Sequence, residues 1–294
     1  MLEIIKSIIL GIIEGITEWL PISSTGHMIL VDELIHLNVT DAFKDMFLVV
    51  IQLGAILAVI ILFWNKLWPF HLKKTMAPPC FKSEKNLFCR LCNNYVYGER
   101  FILWFKILLA SLPAAILGLL FDDQIDAMLT GDGRAYVVAA TLIIYGILFI
   151  IIESMKFKCT VDDLGALTYK TAFFIGLIQC LALIPGTSRS GSTILGAILL
   201  GLSRTAAAEF SFFLSVPAMV GGSAIKVLQY FADGNTFNTS EIIILLVGMA
   251  TAFVVSILAI KFLLSYIRKH DFKAFGYYRI VLGIVVIAYF ALTA

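Results

Sequence analysis

Two carboxylates, a histidine and an arginine stand out in this chain because they interrupt otherwise apolar sequence. Glu14 and Glu18 are four residues apart in an apolar stretch. On a helix that spacing puts both carboxylates on one face, with Cβ atoms about 5–6 Å apart. A charge at membrane depth costs at least ~2.5 kcal/mol. Two like charges side by side cost more unless a cation lies between them. The pair therefore reads as a divalent-metal site or as an acid/base pair. Mg²⁺ or Ca²⁺ would be the metal, since these hard cations prefer oxygen ligands. The competing reading is an interfacial helix with its acidic face in water, and the polar break one turn later argues against it. That break is Pro21-Ile22-Ser23-Ser24-Thr25-Gly26, followed by His27. Imidazole suits proton transfer or nucleophilic attack near neutral pH, although a lone membrane histidine can also be a packing residue. Arg189 lies in a second break, flanked by Thr187, Ser188, Ser190, Ser192 and Thr193. A permanent cation, several hydroxyls and free N–H groups at a helix start are what a phosphate needs. Arg189 could instead only neutralise Glu14 or Glu18, but that role would not require so many hydroxyls. Gln52 is polar within an apolar run and fits either a cavity wall or a bond between helices. His36, His71 and His270 have no evident partners.

The elements that hold these groups follow from composition. Of 294 residues, 60% are hydrophobic and 14% charged, and the net charge is +2. Mean hydropathy is +0.96. Soluble domains average about 45–50% apolar and about 25% charged, so this is a membrane chain. Nothing in it points to nucleic acid. Six apolar runs reach the ~20 residues that cross a bilayer as a helix, at about 46–64, 101–121, 136–152, 206–231, 242–264 and 276–292. Two further regions are broken. Residues 2–20 end at the first polar break and 27–37 follow it; residues 171–184 end at Pro185 and 192–202 follow. The short pieces reach about half a hydrocarbon core. Both regions therefore read as re-entrant hairpins, buried in protein or lining a wet cavity. The N-terminus lacks the basic start of a signal peptide and carries Glu14 and Glu18 where the apolar centre should be. Cys80, Cys89 and Cys92 share a polar loop in which only His71 could supply a fourth zinc ligand. Reduced thiols are the favoured reading.

The two breaks repeat each other. Pro21 to Leu30 lies on Pro185 to Leu195 with one extra residue in the second copy, and Gly11-Ile-Ile-Glu14 lies on Gly176-Leu-Ile-Gln179. Each hairpin precedes three spans, so the halves, about 1–153 and 170–294, should have inverted topology around a midplane site. The expected fold is one all-α polytopic membrane domain of six transmembrane helices plus two re-entrant hairpins. Loops 65–100, 154–170 and 265–275 hold most of the Lys and Arg, whereas 122–135 and 232–241 are acidic. By the positive-inside rule the basic loops are cytoplasmic. Both termini are then outside, and the site, near the midplane, opens to the outer face.

With these motifs the chain resembles the bacterial undecaprenyl-diphosphate phosphatase family, the bacitracin-resistance type. The resemblance rests on Glu14-Gly-Ile-Thr-Glu18, Pro21-Ile-Ser-Ser-Thr-Gly-His27 and Pro185-Gly-Thr-Ser-Arg-Ser-Gly-Ser-Thr193, and covers nearly the whole chain. It implies an enzyme of the bacterial inner membrane that hydrolyses undecaprenyl diphosphate to the monophosphate carrier for cell-wall synthesis. It also implies a divalent cation, and it matches the acidic pair, His27 and Arg189 to the family's catalytic motifs. The loop at 78–95 is longer than expected for the family. The Ser-Gly-His element of the acid-phosphatase-like lipid phosphatases is the nearest rival motif. That class needs a second histidine four residues before an aspartate, which this chain lacks.

On this reading Glu14 and Glu18 hold the metal. Ser23, Thr25, Ser188, Arg189, Ser190 and Thr193 bind phosphate. The attacking group is water, Ser24 or His27, with His27 preferred, acting on or as the nucleophile. The lipid diphosphate keeps its tail among membrane lipids, and a homodimer stays open. A transporter or flippase for polyprenyl phosphate is the alternative, since inverted repeats with broken helices also build transporters. The charge pattern yields a test of topology. A cysteine at Asp126 or Asp233 should react with an impermeant reagent on intact cells, and one at Lys82 should not. Labelling at Lys82 would invert the assignment.

Overall fold

The computed structural model describes residues 1–70, 95–121, 124, 133–155 and 157–293. Cys80, Cys89, Cys92 and His71, and the probe positions Lys82 and Asp126, fall outside these residues. The described chain is helical: α1 (Leu2–Thr17), α2 (Ser24–Leu34), α3 (Asp41–Val50), α4 (Gln52–Leu62), α5 (Trp64–Leu67), α6 (Gly98–Leu120), α7 (Arg134–Ser154), α8 (Tyr169–Gln179), α9 (Arg189–Leu199), α10 (Arg204–Ala232), α11 (Thr239–Ile267) and α12 (Lys273–Thr293).

Six helices are long and apolar enough to cross a membrane: Asp41–Leu62, Gly98–Leu120, Arg134–Ser154, Arg204–Ala232, Thr239–Ile267 and Lys273–Leu292. They coincide with the six expected spans, and most start a few residues earlier than apolarity alone suggests. In three of them the reason is capping, which adds a polar first turn that hydropathy does not register. Ser203 Oγ accepts from Ala206 N, Thr40 Oγ1 accepts from Phe43 N, and Asn238 forms a capping box with Glu241. The first span is two helices, α3 and α4, joined at Ile51, with Gln52 at the joint.

The broken regions are short helices. α1 has 16 residues and α2, α8 and α9 have 11 each, and a 3₁₀ turn, Cys180–Leu183, extends α8. The second helices start at Ser24 and Arg189, three residues before the expected 27 and 192, because Ser23 and Ser188 cap them. The chain enters and leaves each hairpin at the same end. Lys6 Nζ donates to His36 O, and Asn38 N donates to Glu3 Oε2. In the second hairpin Thr160 N donates to Gly201 O, and Val161 bridges Leu202.

Packing crosses between the halves. α1 lies on α11, where Cβ atoms added at Gly11 or Gly15 would come within 2.7 Å of Gly248 O or 2.9 Å of Ala252 O. Ser7 Oγ donates to Ile244 O across the same seam at 2.6 Å. Small residues permit such close approach where lipid supplies no hydrophobic drive between helices. Correspondingly, α8 packs on α6 with Gly176 against Ala110 O. α10 packs on α3 and α4, and α7 packs on α12. Two halves related by a two-fold axis would produce this exchange of partners.

The helix ends sort into two sets. At one end Arg204 forms three hydrogen bonds with the buried Glu153 carboxylate, which also accepts from Phe272 N. Lys66 pairs there with Glu209 at 2.6 Å. These contacts gather the described parts of the three basic loops. The start of α1 and the close of α2 lie together at an end that holds none of these contacts.

Candidate active site

Both hairpins turn on a strained serine. Ser23 has φ 71° and Ser188 has φ 70°, the only non-glycine residues with positive φ among those described. Each hydroxyl accepts from the N–H three residues on, Gly26 in the first copy and Gly191 in the second. Such backbone costs on the order of 1–3 kcal/mol and persists where its surroundings fix it. The result is a pair of helix N-termini, at Ser24 and Arg189, with first-turn N–H groups that have no intrahelical partner. Both open onto one cavity. One lobe, about 240 Å³, is lined by Glu18, Ser24, Thr25, Gln52, Ser188 and Arg189, with Pro185 and Gly186. A second lobe, about 350 Å³, shares Ser24, Thr25, Val49 and Gln52 with the first and adds Glu14.

An ion pair joins the two breaks. Arg189 Nη2 donates to Glu18 Oε1 at 2.6 Å, and both side chains are nearly buried. Arg189 Nη1 donates to Ser211 O at 2.6 Å. Ser211 Oγ is 2.6 Å from Thr193 Oγ1, which also donates to Arg189 O. The guanidinium is thus held on two sides, while its buried Nε has no protein partner. Ser24 Oγ lies 3.4 Å from Glu18 Oε2. Glu14 is 1% exposed, interacts with Gln52, and leaves Oε1 without a partner.

Not every expected residue reaches the cavity. Glu14, Glu18, Ser24, Thr25, Ser188 and Arg189 line it. Ser23, Ser190 and Thr193 do not: Ser23 caps α2, Ser190 bonds Ser188 at 3.1 Å, and Thr193 braces Arg189. His27 also faces away. Helical geometry turns it about 200° from Thr25, towards α12. Its Nδ1 is 2.7 Å from Ser23 O and its Nε2 is 2.7 Å from Tyr278 Oη. His27 thus stands behind the strained serine, between Ser23 O and Tyr278 Oη.

Arg279 was missed. It is fully buried in α12. It donates to Pro21 O at 3.3 Å, to Gly186 O at 2.8 Å and to Thr187 O at 2.8 Å, so one guanidinium clasps both breaks. Tyr145 and Phe149 turn ring faces towards it, at 5.2 and 6.0 Å. Its sequence signal was a cation inside the apolar run 276–292.

A multi-span helical protein with a buried carboxylate–guanidinium cavity between two broken helices is the class this architecture defines. The profile of the family described as bacitracin resistance protein BacA matches residues 7–285. A curated relative from Enterococcus faecalis, named undecaprenyl-diphosphatase, is 55% identical over 288 residues, spanning 97% of this chain and 96% of the relative. Others of that name from Acetivibrio thermocellus (53% identical, 99% of this chain, 98% of the relative) and Desulfitobacterium hafniense (51%, 99% and 97%) align as fully. The chain belongs to the BacA family.

The clasp yields a prediction. Arg279→Met removes the donor from three carbonyls and should cost about 3 kcal/mol, as when one partner of a buried charged contact is lost. Arg279→Lys should recover only part, lacking the planar fork. Thermal unfolding in detergent checks both, and a parental melting temperature for Arg279→Met would refute the clasp.

Proposed function

We infer that this protein hydrolyses undecaprenyl diphosphate to undecaprenyl phosphate and inorganic phosphate, as an enzyme of a bacterial membrane that returns the lipid carrier to cell-wall synthesis. The observation that carries the site reading is Arg189, which pairs with Glu18 and lines a cavity with it and with Ser24, Thr25 and Ser188. The headgroup enters this cavity and the isoprenoid tail stays in lipid. Phosphoryl transfer asks mainly for positioning and for neutralising the equatorial oxygens, and Arg189 with the two helix starts supplies both. Ser24, beside Glu18, is placed to attack or to align a water, with Glu18 taking the proton. The transporter alternative loses ground, since the relatives bear a hydrolase name.

The buried, unpartnered Glu14 Oε1 fits a hard cation. Glu14 and Glu18 would hold it, completed by waters and substrate oxygens as Mg²⁺ sites commonly are. Among the described residues no three His, Cys, Asp or Glu side chains gather into a cluster, so an all-protein cage is not proposed. When bound, the ion would add charge neutralisation at the phosphates. The positive-inside rule supports a cytoplasmic side at the basic loops, and the proposed topology rests on it. The cavity then opens outward, both termini lie outside, the hairpins are re-entrant, and the halves form an inverted repeat.

Release of phosphate from undecaprenyl diphosphate by the pure protein in detergent tests the reaction, since a transporter makes no product. Arg189→Ala should lower kcat on the order of 10²–10³-fold, as removal of a transition-state donor does, in a sample that stays monodisperse. A folded Arg189→Ala protein with parental turnover would remove Arg189 from the mechanism. Chelation should abolish turnover, and Mg²⁺ or Ca²⁺ should restore it. Full activity in excess chelator would leave the carboxylates only the acid/base role.

A further inference from the structure

The strained turn at Ser23 is braced from behind by two ring side chains that the reaction at Arg189 does not use. His27 Nδ1 is 2.7 Å from Ser23 O, and His27 Nε2 is 2.7 Å from Tyr278 Oη. The two rings stack, 8° from parallel, with centroids 5.6 Å apart. A backbone carbonyl only accepts, so Nδ1 carries the ring proton. In the neutral imidazole Nε2 is then bare and accepts from the Tyr278 hydroxyl. The donors run one way, from Tyr278 to His27 to Ser23 O. Tyr278 precedes Arg279 on α12, and Arg279 donates to Pro21 O. Two consecutive residues of α12 thus hold the carbonyls on either side of Ile22, one directly and one through an imidazole. The second break has a smaller version. Its matching residue, Ser192, donates its N–H to Ser188 O and its hydroxyl to Tyr145 Oη at 3.1 Å. Tyr145 lies on α7 and Tyr278 on α12, the last span of each half. A tyrosine hydroxyl on the last span therefore meets both breaks, and in the first copy a ring nitrogen carries it on to the strained carbonyl.

We propose that Tyr278 is a positioning residue for the reaction, acting through His27 on the peptide that joins Ser23 to Ser24. The inference rests on the hydrolysis proposed above, in which Ser24 attacks or aligns a water. A trans peptide is planar, so its carbonyl and its N–H point in opposite directions. Anchoring Ser23 O towards His27 aims the Ser24 N–H out of the start of α2, where first-turn N–H groups have no intrahelical partner. The same plane sets the Cα from which Ser24 Oγ reaches to 3.4 Å from Glu18 Oε2. Ser23 does not hold this plane by its own preference, because its φ of 71° lies in a region that serine rarely adopts. On this reading His27 passes no proton to the substrate. Its part is to donate Nδ1–H, and Tyr278 fixes the tautomer that can donate. Without the Tyr278 hydroxyl Nε2 is free to take the proton, and a ring protonated only there has nothing to give Ser23 O.

The test combines turnover with the state of the ring, in the full-length protein in detergent. Tyr278→Phe keeps the stack and removes the hydroxyl. It should lower kcat for undecaprenyl diphosphate about fivefold, the worth of one hydrogen bond, with KM within about twofold of the parent. His27→Asn places an amide N–H where Nδ1 stood, whereas His27→Ala leaves Ser23 O without that donor. The asparagine variant should therefore turn over about tenfold faster than the alanine variant. Nitrogen NMR of protein labelled at its histidines reads the tautomer without turnover, and loss of a signal in His27→Asn identifies His27. The parent should show Nδ1 protonated and Nε2 bare, and Tyr278→Phe should move the proton towards Nε2. A His27→Asn protein as inactive as His27→Ala would overturn the proposal and give the imidazole itself a chemical step. So would an unchanged tautomer in Tyr278→Phe. Parental kcat in that variant would also overturn it, and a lowered melting temperature beside that kcat would leave the tyrosine a packing role alone. If the parent releases no phosphate from the lipid, the hydrolysis reading fails, and the tautomer and its shift in Tyr278→Phe decide the brace.

Discussion

The site depends on the contact between Arg279 and three backbone carbonyls. At membrane depth a broken helix leaves peptide groups that water cannot satisfy, and each costs free energy unless protein supplies a partner. Pro21, Gly186 and Thr187 end their segments with carbonyls facing inward, and one planar guanidinium reaches all three. Because the carbonyls belong to both hairpins, the clasp fixes the hairpins relative to each other as well as to the bundle. Ser23 and Ser188 can then hold backbone angles that serine rarely adopts. No carboxylate pairs with Arg279 among the described residues. Carbonyl dipoles and two ring faces offset its charge instead, so its neighbours gain a positive potential without a neutralising acid.

That potential adds to an uneven division of labour between the repeats. The backbone turn is copied, with Ser23 matching Ser188 and Gly26 matching Gly191. The chemistry is not. Position 14 is glutamate in the first copy, and the matching position 179 is glutamine. The second copy has arginine at position 189, where the first has Ser24. Two repeats with the same shape thus contribute opposite charges, and the Glu18–Arg189 pair forms across the junction at 2.6 Å. An ion pair this buried contributes little to stability, because desolvation offsets its attraction. Its value is positional, since it keeps both charged groups at the cavity wall.

Much of this was legible in the sequence. The six spans and both breaks followed from runs of apolar residues and from two prolines, and at several helix starts capping serines, Thr40 and Asn238 add a polar turn. Glu14, Glu18, Ser24 and Arg189 were found because each violates its local apolar pattern. What the motifs left open was direction. A row of hydroxyls says that a segment is polar but not which members face the cavity. Once Ser23 and Ser188 take the caps, helical geometry sends His27, Ser190 and Thr193 elsewhere. Arg279 was hidden for a different reason. It lies far from both motifs in the chain, and only the packing of α12 against α7 brings it to the breaks. Ser211, which holds Arg189, is likewise supplied by tertiary contact.

The seating of α1 has a consequence for how the protein is made. Its glycine face rests on α11, near the end of the chain, and Ser7 bonds the same helix. While the first half is being synthesised, the hairpin that carries Glu14 and Glu18 lacks the α11 surface on which its glycine face finally rests. Its carboxylates lack Arg189, and its break lacks Arg279. Insertion into the bilayer and maturation of the centre are therefore separate events, with the second waiting for the last helix. A chain stopped before residue 239 lacks α11 and leaves its acidic hairpin without that seat.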